Sequence, residues 1–140
     1  MSWYTIIQQC LKVFYVDMLI EDTPWESPVE ETFYYNVYRD KYPVTEGHTL
    51  YVPKQDRWHF MLHAIEAAYN QGKKWVEEGY CEGYNIGQNN GKVAGQTIMY
   101  PHIHLIPRRE GDLGRYENGT PYDPTGGIRN VIPDKGNYKK

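Results

Sequence analysis

The chain has 140 residues, a formal charge of −3 and 24% charged residues. That is the length of one domain with a real core and short terminal decorations. The basic residues are dispersed, which argues against a nucleic-acid-binding face, and no apolar run is long enough for a membrane span or laid out as a signal peptide. Cys10 and Cys81 stand far apart and form no CxxC pair, so nothing points to an oxidising compartment. A soluble cytoplasmic protein is the expectation.

Taken in order, the first fifteen residues mix aliphatic and aromatic side chains and suggest a short helix. EDTPWESPVE, with two prolines and several charges, reads as a loop. ETFYYNVYR is rich in aromatic and β-branched residues and predicts a strand; after the turn KYPVTEGH, TLYVP predicts its antiparallel partner. From Asp56 to Glu78 the apolar residues Trp58, Met61, Leu62, Ile65, Ala68, Tyr69, Gly72, Trp75 and Val76 recur at helical spacing and predict one long amphipathic helix. His59 and His63 lie four apart on it, but without the glutamate of a zinc-protease motif they read as part of its solvated face. CEGYNIGQNNGK predicts a short strand and a turn. The chain after Arg108 is charged, glycine-rich and turn-forming. The tryptophans and most tyrosines are assigned to packing.

The most informative stretch is NNGKVAGQTIMYPHIHLIPRREGD, from Asn89 to Asp112. Alternation along a strand would put Tyr100, His102 and His104 on one side, with Ile103 and Leu105 facing a core. The AGQT turn before it is suited to aiming backbone N–H groups at an anion. A phosphate-holding loop followed by paired imidazoles fits phosphoryl or nucleotidyl transfer through a histidine nucleophile. Two alternatives compete, an ordinary polar strand face and half of a zinc site. The zinc alternative lacks a local third ligand. Pro101 cannot donate to a ladder and predicts an edge or a bulge there.

AGQTIMYPHIHLIPRREGD resembles the signature of the histidine-triad (HIT) family of nucleotide hydrolases and transferases, an AGQ-[ST] loop leading into alternating histidines and Pro-Arg. DKYPVTEGHTLYVPK, from Asp40 to Lys54, resembles the family's second recurrent piece, and GGIRNVIP resembles the tails of some bacterial members. Counting from Gln96, His102 falls on the central, nucleophilic histidine and His104 on the third. Tyr100 falls where the family has its first histidine. Pro101 also resembles the His-Pro-His of galactose-1-phosphate uridylyltransferases, a branch of the same superfamily.

The resemblance implies an α+β fold, a mainly antiparallel sheet of about five strands with one long helix packed on it. It implies one domain over residues 1–140, its core about 31–112 and its tail 113–140. The implied activity is hydrolysis at the α-phosphate of a purine nucleotide through a nucleotidyl-histidine. The substrate would be a phosphoramidate, a dinucleoside polyphosphate or an adenylated compound. A nucleotidyltransferase of the same superfamily and a nucleotide-binding module with little turnover are the alternatives. Asp40 would hold the ribose hydroxyls; Asn89, Gln96, Thr97 and His104 would face the phosphate or leaving group; His48 and Tyr100 would support the nucleotide pocket. No cofactor or metal is implied, and the zinc-binding cysteine pair of some members is absent. Many members dimerise through the helix and a strand, which implies a homodimer surface around Trp58, Trp75 and ETFYYNVYR.

Overall fold

The computed structural model describes Ser2 and residues 18–139, so the short helix expected in the first fifteen residues lies outside the described residues. Five strands form one antiparallel sheet: β1 (Glu30–Glu31), β2 (Tyr35–Arg39), β3 (Thr49–Pro53), β4 (Gly83–Gly87) and β5 (Ile103–Arg108). Their order is β1-β2-β3-β5-β4, which places the histidine-bearing strand between β3 and β4. The helix α1 (Trp58–Glu77) crosses one face. This is the α+β architecture that the resemblance implied. Among the described residues, no helix is long and apolar enough to cross a membrane.

Strand alternation gives the sheet two different faces. Toward α1, Val37, Tyr51, Ile103 and Leu105 pack on Ala64 and Ala68. On the other face Tyr38, Leu50, Val52 and Tyr100 form a second buried cluster, with Ile20 and Trp25 laid against it. β3 is buried along its whole length because both faces are covered. His102 and His104 lie on the face away from the helix.

Three expectations need correcting. ETFYYNVYR is not one strand: the Thr32 hydroxyl accepts the N–H groups of Tyr34 and Tyr35 and donates to the Tyr35 carbonyl, folding the segment into the β1–β2 hairpin. Pro101 sits just before β5, so the ladder never meets it and needs neither an edge nor a bulge.

The helix buries only part of the expected stripe: Ala68 and Gly72 are buried and Met61, Ile65 and Trp75 pack against the core. Phe60, Ala64, Ala68 and Gly72 face inward, while Trp58, Leu62, Tyr69 and Val76 are exposed. Small residues win because they let the helix sit close on the sheet: a Cβ at Gly72 would come within 2.7 Å of the Tyr84 ring. Trp75 packs against the core, and His63 stacks on Tyr34 at 3.7 Å, a packing contact. After β5, Asp112 clamps Arg108 with two hydrogen bonds, and Arg108 also donates to Asn85 on β4. The tail then runs through turns and one short 3₁₀ helix, Gly127–Val131.

Candidate active site

A cavity of about 480 Å³ opens on the face away from the helix. Asp40, His48, Asn89, Gln96, Thr97, His102 and His104 all line it, although they come from the β2–β3 turn, β3's approach, the β4–β5 loop and β5. Tyr100 does not reach the wall. It shares the sheet face of the histidines but packs in the cluster with Tyr38, Leu50 and Val52, and its hydroxyl donates to the Pro53 carbonyl at 2.6 Å. Burial chiefly pushes its phenol up to about 12, with Asp56, Glu21 and Tyr38 adding to the effect. Tyr100, expected to support the nucleotide pocket, thus packs beneath the site and does not line the cavity.

Main-chain groups fix the histidine tautomers. His102 Nδ1 lies 2.8 Å from the Tyr100 carbonyl, which only accepts, so Nδ1 carries the proton and the neutral ring keeps its lone pair on Nε2. The opposite holds at His48. The Val44 N–H donates to its Nδ1 at 3.3 Å, so the proton is on Nε2 and is given to His104 Nδ1 at 2.9 Å. His104 must then carry its own proton on Nε2. One backbone N–H and one backbone carbonyl thus set a lone pair on one ring and a donor on the next, with ring centroids 5.0 Å apart.

The loop ahead of β5 is built by glycines and by Gln96. Gly91 and Gly95 take positive φ values of 96° and 89° around a 3₁₀ turn, a backbone that residues with a Cβ rarely adopt. Gln96, almost fully buried, accepts from the Gly91 N–H and donates to the Ile98 carbonyl. Its amide is largely spent on holding the loop, so it positions the loop more than it offers donors to a ligand. Asp40 accepts the Tyr42 N–H on one oxygen, and its other oxygen lies 3.5 Å from His48 Nε2. Lone pairs remain on both.

Trp25 was assigned to packing, yet it lines the cavity with its ring edge-on to His102 at 4.9 Å. It lies in a loop with no hydrophobic period to flag it. Only its place beside a proline in an otherwise polar segment sets it apart.

Burial lowers the proton affinity of both His48 and His104 against the pull of Asp40. For His104 the neighbouring rings of His102 and His48 add to burial and push it down to about 4. An unfolded chain takes up protons on these rings near pH 6.5, whereas in the folded chain His48 takes one up less readily and His104 resists until about pH 4. The unfolded state binds more protons in that window, so the stability is whole above about pH 6.5 and falls as pH drops toward 4. The urea midpoint, followed by circular dichroism, is expected to fall between pH 7 and pH 4.5 and to fall less in His104→Gln. An equal fall in both proteins would contradict the assignment.

Among the described residues, Asp40, His48 and His104 form the one group placed to hold a metal ion, with ligand atoms within 4.8 Å of one another. The donor set does not suit a cation well. The nitrogen that His48 would present already bears the proton it gives to His104, and its other nitrogen accepts from the main chain.

Comparison with known proteins agrees with the geometry. A HIT domain match spans residues 27–111. An uncharacterised HIT-like protein of Methanocaldococcus jannaschii is 46% identical over 77 residues, 50% of this chain and 59% of the relative. An adenosine 5′-monophosphoramidase of Saccharomyces cerevisiae is 35% identical over 91 residues, 60% of this chain and 55% of the relative. The chain thus spans little more than half the length of these curated relatives. A zinc-bound histidine triad family protein from Mycobacterium smegmatis superposes with a TM-score of 0.57 at 28% identity, covering 69% of this chain and 73% of that one. The HIT domain match covers more than half of the chain, which therefore belongs to the HIT domain family.

Proposed function

We propose that the protein is a nucleotide hydrolase that works through a nucleotidyl-histidine. The observation that carries this is the hydrogen bond from His102 Nδ1 to the Tyr100 carbonyl, which leaves a lone pair on His102 Nε2. That nitrogen attacks the α-phosphorus of a purine nucleotide. The N–P bond forms as the bond from phosphorus to the leaving group breaks, and the leaving group departs with the electron pair. His104, with its proton on Nε2, donates to the charge growing on the phosphate oxygens, and Thr97 adds a hydroxyl donor. Water then cleaves the N–P bond, releasing the nucleoside monophosphate and the free imidazole. The family relative named as an adenosine 5′-monophosphoramidase supports a phosphoramidate as substrate. The spacing from Gln96 supports reading Tyr100 as the occupant of the first triad position.

The test is a rapid quench with α-labelled adenosine 5′-phosphoramidate. Label is expected on a peptide containing His102, stable in base and lost in acid. Hydrolysis at full rate without a labelled peptide would refute the covalent route.

Asp40 is assigned to the ribose. Its free lone pairs suit the 2′ and 3′ hydroxyl protons, and acceptors that are charged make the stronger hydrogen bonds. Asp40→Ala is expected to weaken ribonucleotide binding by roughly 1.5–3 kcal/mol and to leave a dideoxy analogue almost unaffected. Calorimetry with the two ligands checks this, and equal losses would remove the assignment.

The chemistry uses imidazole and hydroxyl groups, and His48 Nε2 lies within hydrogen-bond distance of His104 Nδ1. Turnover is therefore expected to survive exhaustive chelation. Activity lost on chelation and regained only with zinc would overturn this, whereas a magnesium effect through a polyphosphate substrate is compatible.

A further inference from the structure

On the side of the sheet that carries α1, opposite His102, a cavity of about 260 Å³ lies between the helix and strands β1, β2 and β3. Glu30, Tyr35 and Tyr51 close it from the sheet. Glu30 pairs with Val37 and Val37 with Tyr51, so these side chains rise from one face. Ala67, Asn70, Gln71 and Lys74 close it from the helix, at the spacing of a single stripe. Tyr51 is 4% exposed, yet its hydroxyl has no hydrogen-bond partner among the described residues. Among them the one side-chain polar atom both sealed from solvent and unpaired is Asn36 Oδ1, so the Tyr51 oxygen opens into the cavity. The Tyr35 hydroxyl is likewise unpaired there. Folded proteins rarely leave the polar end of a buried side chain unmet.

We propose that this cavity binds a small primary amine, its ammonium held between the Glu30 carboxylate and the hydroxyl oxygens of Tyr35 and Tyr51. The site lies across the sheet from the candidate active site and does not depend on the nucleotide reading. An ammonium carries three N–H donors and no acceptor, and the three side chains offer one acceptor for each. Drug-sized ligands fill pockets of about 300–1,000 Å³, so this one suits a smaller molecule.

The charge of the ligand follows from the groups around it. Burial first, and then the Glu30 carboxylate, raises the proton affinity of both phenols; Glu66 adds to this at Tyr35, and Arg39 opposes it at Tyr51. Both phenols therefore stay neutral, with oxygen lone pairs free to accept. The field that resists a phenolate there also resists an incoming anion and favours a cation. Lys74 is the one cation on the lining among the described residues. It is 63% exposed and its ammonium lies 3.8 Å from Glu78, so solvent screens it. The alkyl part of the ligand meets Ala67 and the two tyrosine rings, whose centroids are 5.9 Å apart.

The experiment is an amide NMR titration of the full chain with n-butylammonium chloride, against sodium butyrate and sodium chloride at equal ionic strength. Saturable shifts are expected at Tyr35, Tyr51, Ala67 and Gln71 with butylammonium, and butyrate is expected to bind about tenfold more weakly or not at all. Glu30→Gln, a change at an exposed strand residue, is expected to weaken butylammonium about tenfold. Tyr51→Phe keeps the ring and is expected to weaken it several-fold. Shifts that never saturate and that sodium chloride reproduces would overturn the proposal, as would butyrate binding as tightly as butylammonium. Undiminished affinity in Glu30→Gln would overturn it too. The wild-type comparison and Glu30→Gln decide the matter even where Tyr51→Phe does not fold.

Discussion

Replacing His102 with alanine is expected to abolish turnover while nucleotide affinity stays within a few-fold. The ring supplies the atom that bonds to phosphorus. Its loss should exceed the roughly 10²–10⁴-fold effect of removing a positioned acid or base, because no other group on the face carries a lone pair set by the same carbonyl. His104 cannot step in without a change of tautomer: its Nδ1 is already occupied by the His48 proton and its Nε2 holds a proton of its own. Single-turnover kinetics on adenosine 5′-phosphoramidate, together with AMP binding, would measure both halves of the statement. Near-normal turnover in the variant would move the nucleophile to His104. A loss of AMP binding as large as the loss of rate would instead make His102 a binding residue.

The distribution of what was readable follows from the range of each interaction. β3 and α1 were visible because period-two and helical patterns are local: TLYVP is strand from end to end, and the helix ends fall within two residues of those expected. The histidine strand was visible for the same reason, and a motif of fixed spacing placed Gln96, His102 and His104 around one cavity. What sequence could not supply was contact between distant segments. The hydrogen bond from His48 to His104 spans 56 residues and passes on to His104 the tautomer that the Val44 N–H sets on His48. The close approach of Gly72 to Tyr84 lets α1 sit close on the sheet, while Trp58, Leu62, Tyr69 and Val76 stay exposed. Trp25 and Asn36 carry no motif, and only the folded sheet brings them beside His102 and Tyr38. Tyr100 is the sharpest case. Alternation put it on the correct face, yet the face itself is divided between a cavity and a packed cluster, and parity says nothing about which half a side chain joins.

That division yields the second large effect, in stability rather than catalysis. Tyr100 is among the largest fully buried side chains, 2% exposed, and its hydroxyl meets the Pro53 carbonyl at the end of β3. Tyr100→Ala is expected to destabilise the fold by about 3–5 kcal/mol, the range for deleting a large core aromatic, because the cluster of Tyr38, Leu50 and Val52 cannot collapse into the space without disturbing the sheet. Tyr100→Phe keeps the ring and removes only the hydroxyl, leaving the Pro53 carbonyl without its donor. Its cost should be about 1–3 kcal/mol. Tyr100→His belongs with the destabilising variants: a smaller, more polar ring would enter an apolar cluster, where its second nitrogen has no evident partner. Urea unfolding followed by tryptophan fluorescence would rank the three. The carbonyl that orients His102 belongs to the Tyr100 main chain, which every substitution retains, so Tyr100→Phe should keep kcat within a few-fold of wild type. A Tyr100→Phe protein of unchanged stability with a kcat lowered by orders of magnitude would return Tyr100 to the reacting side of the strand.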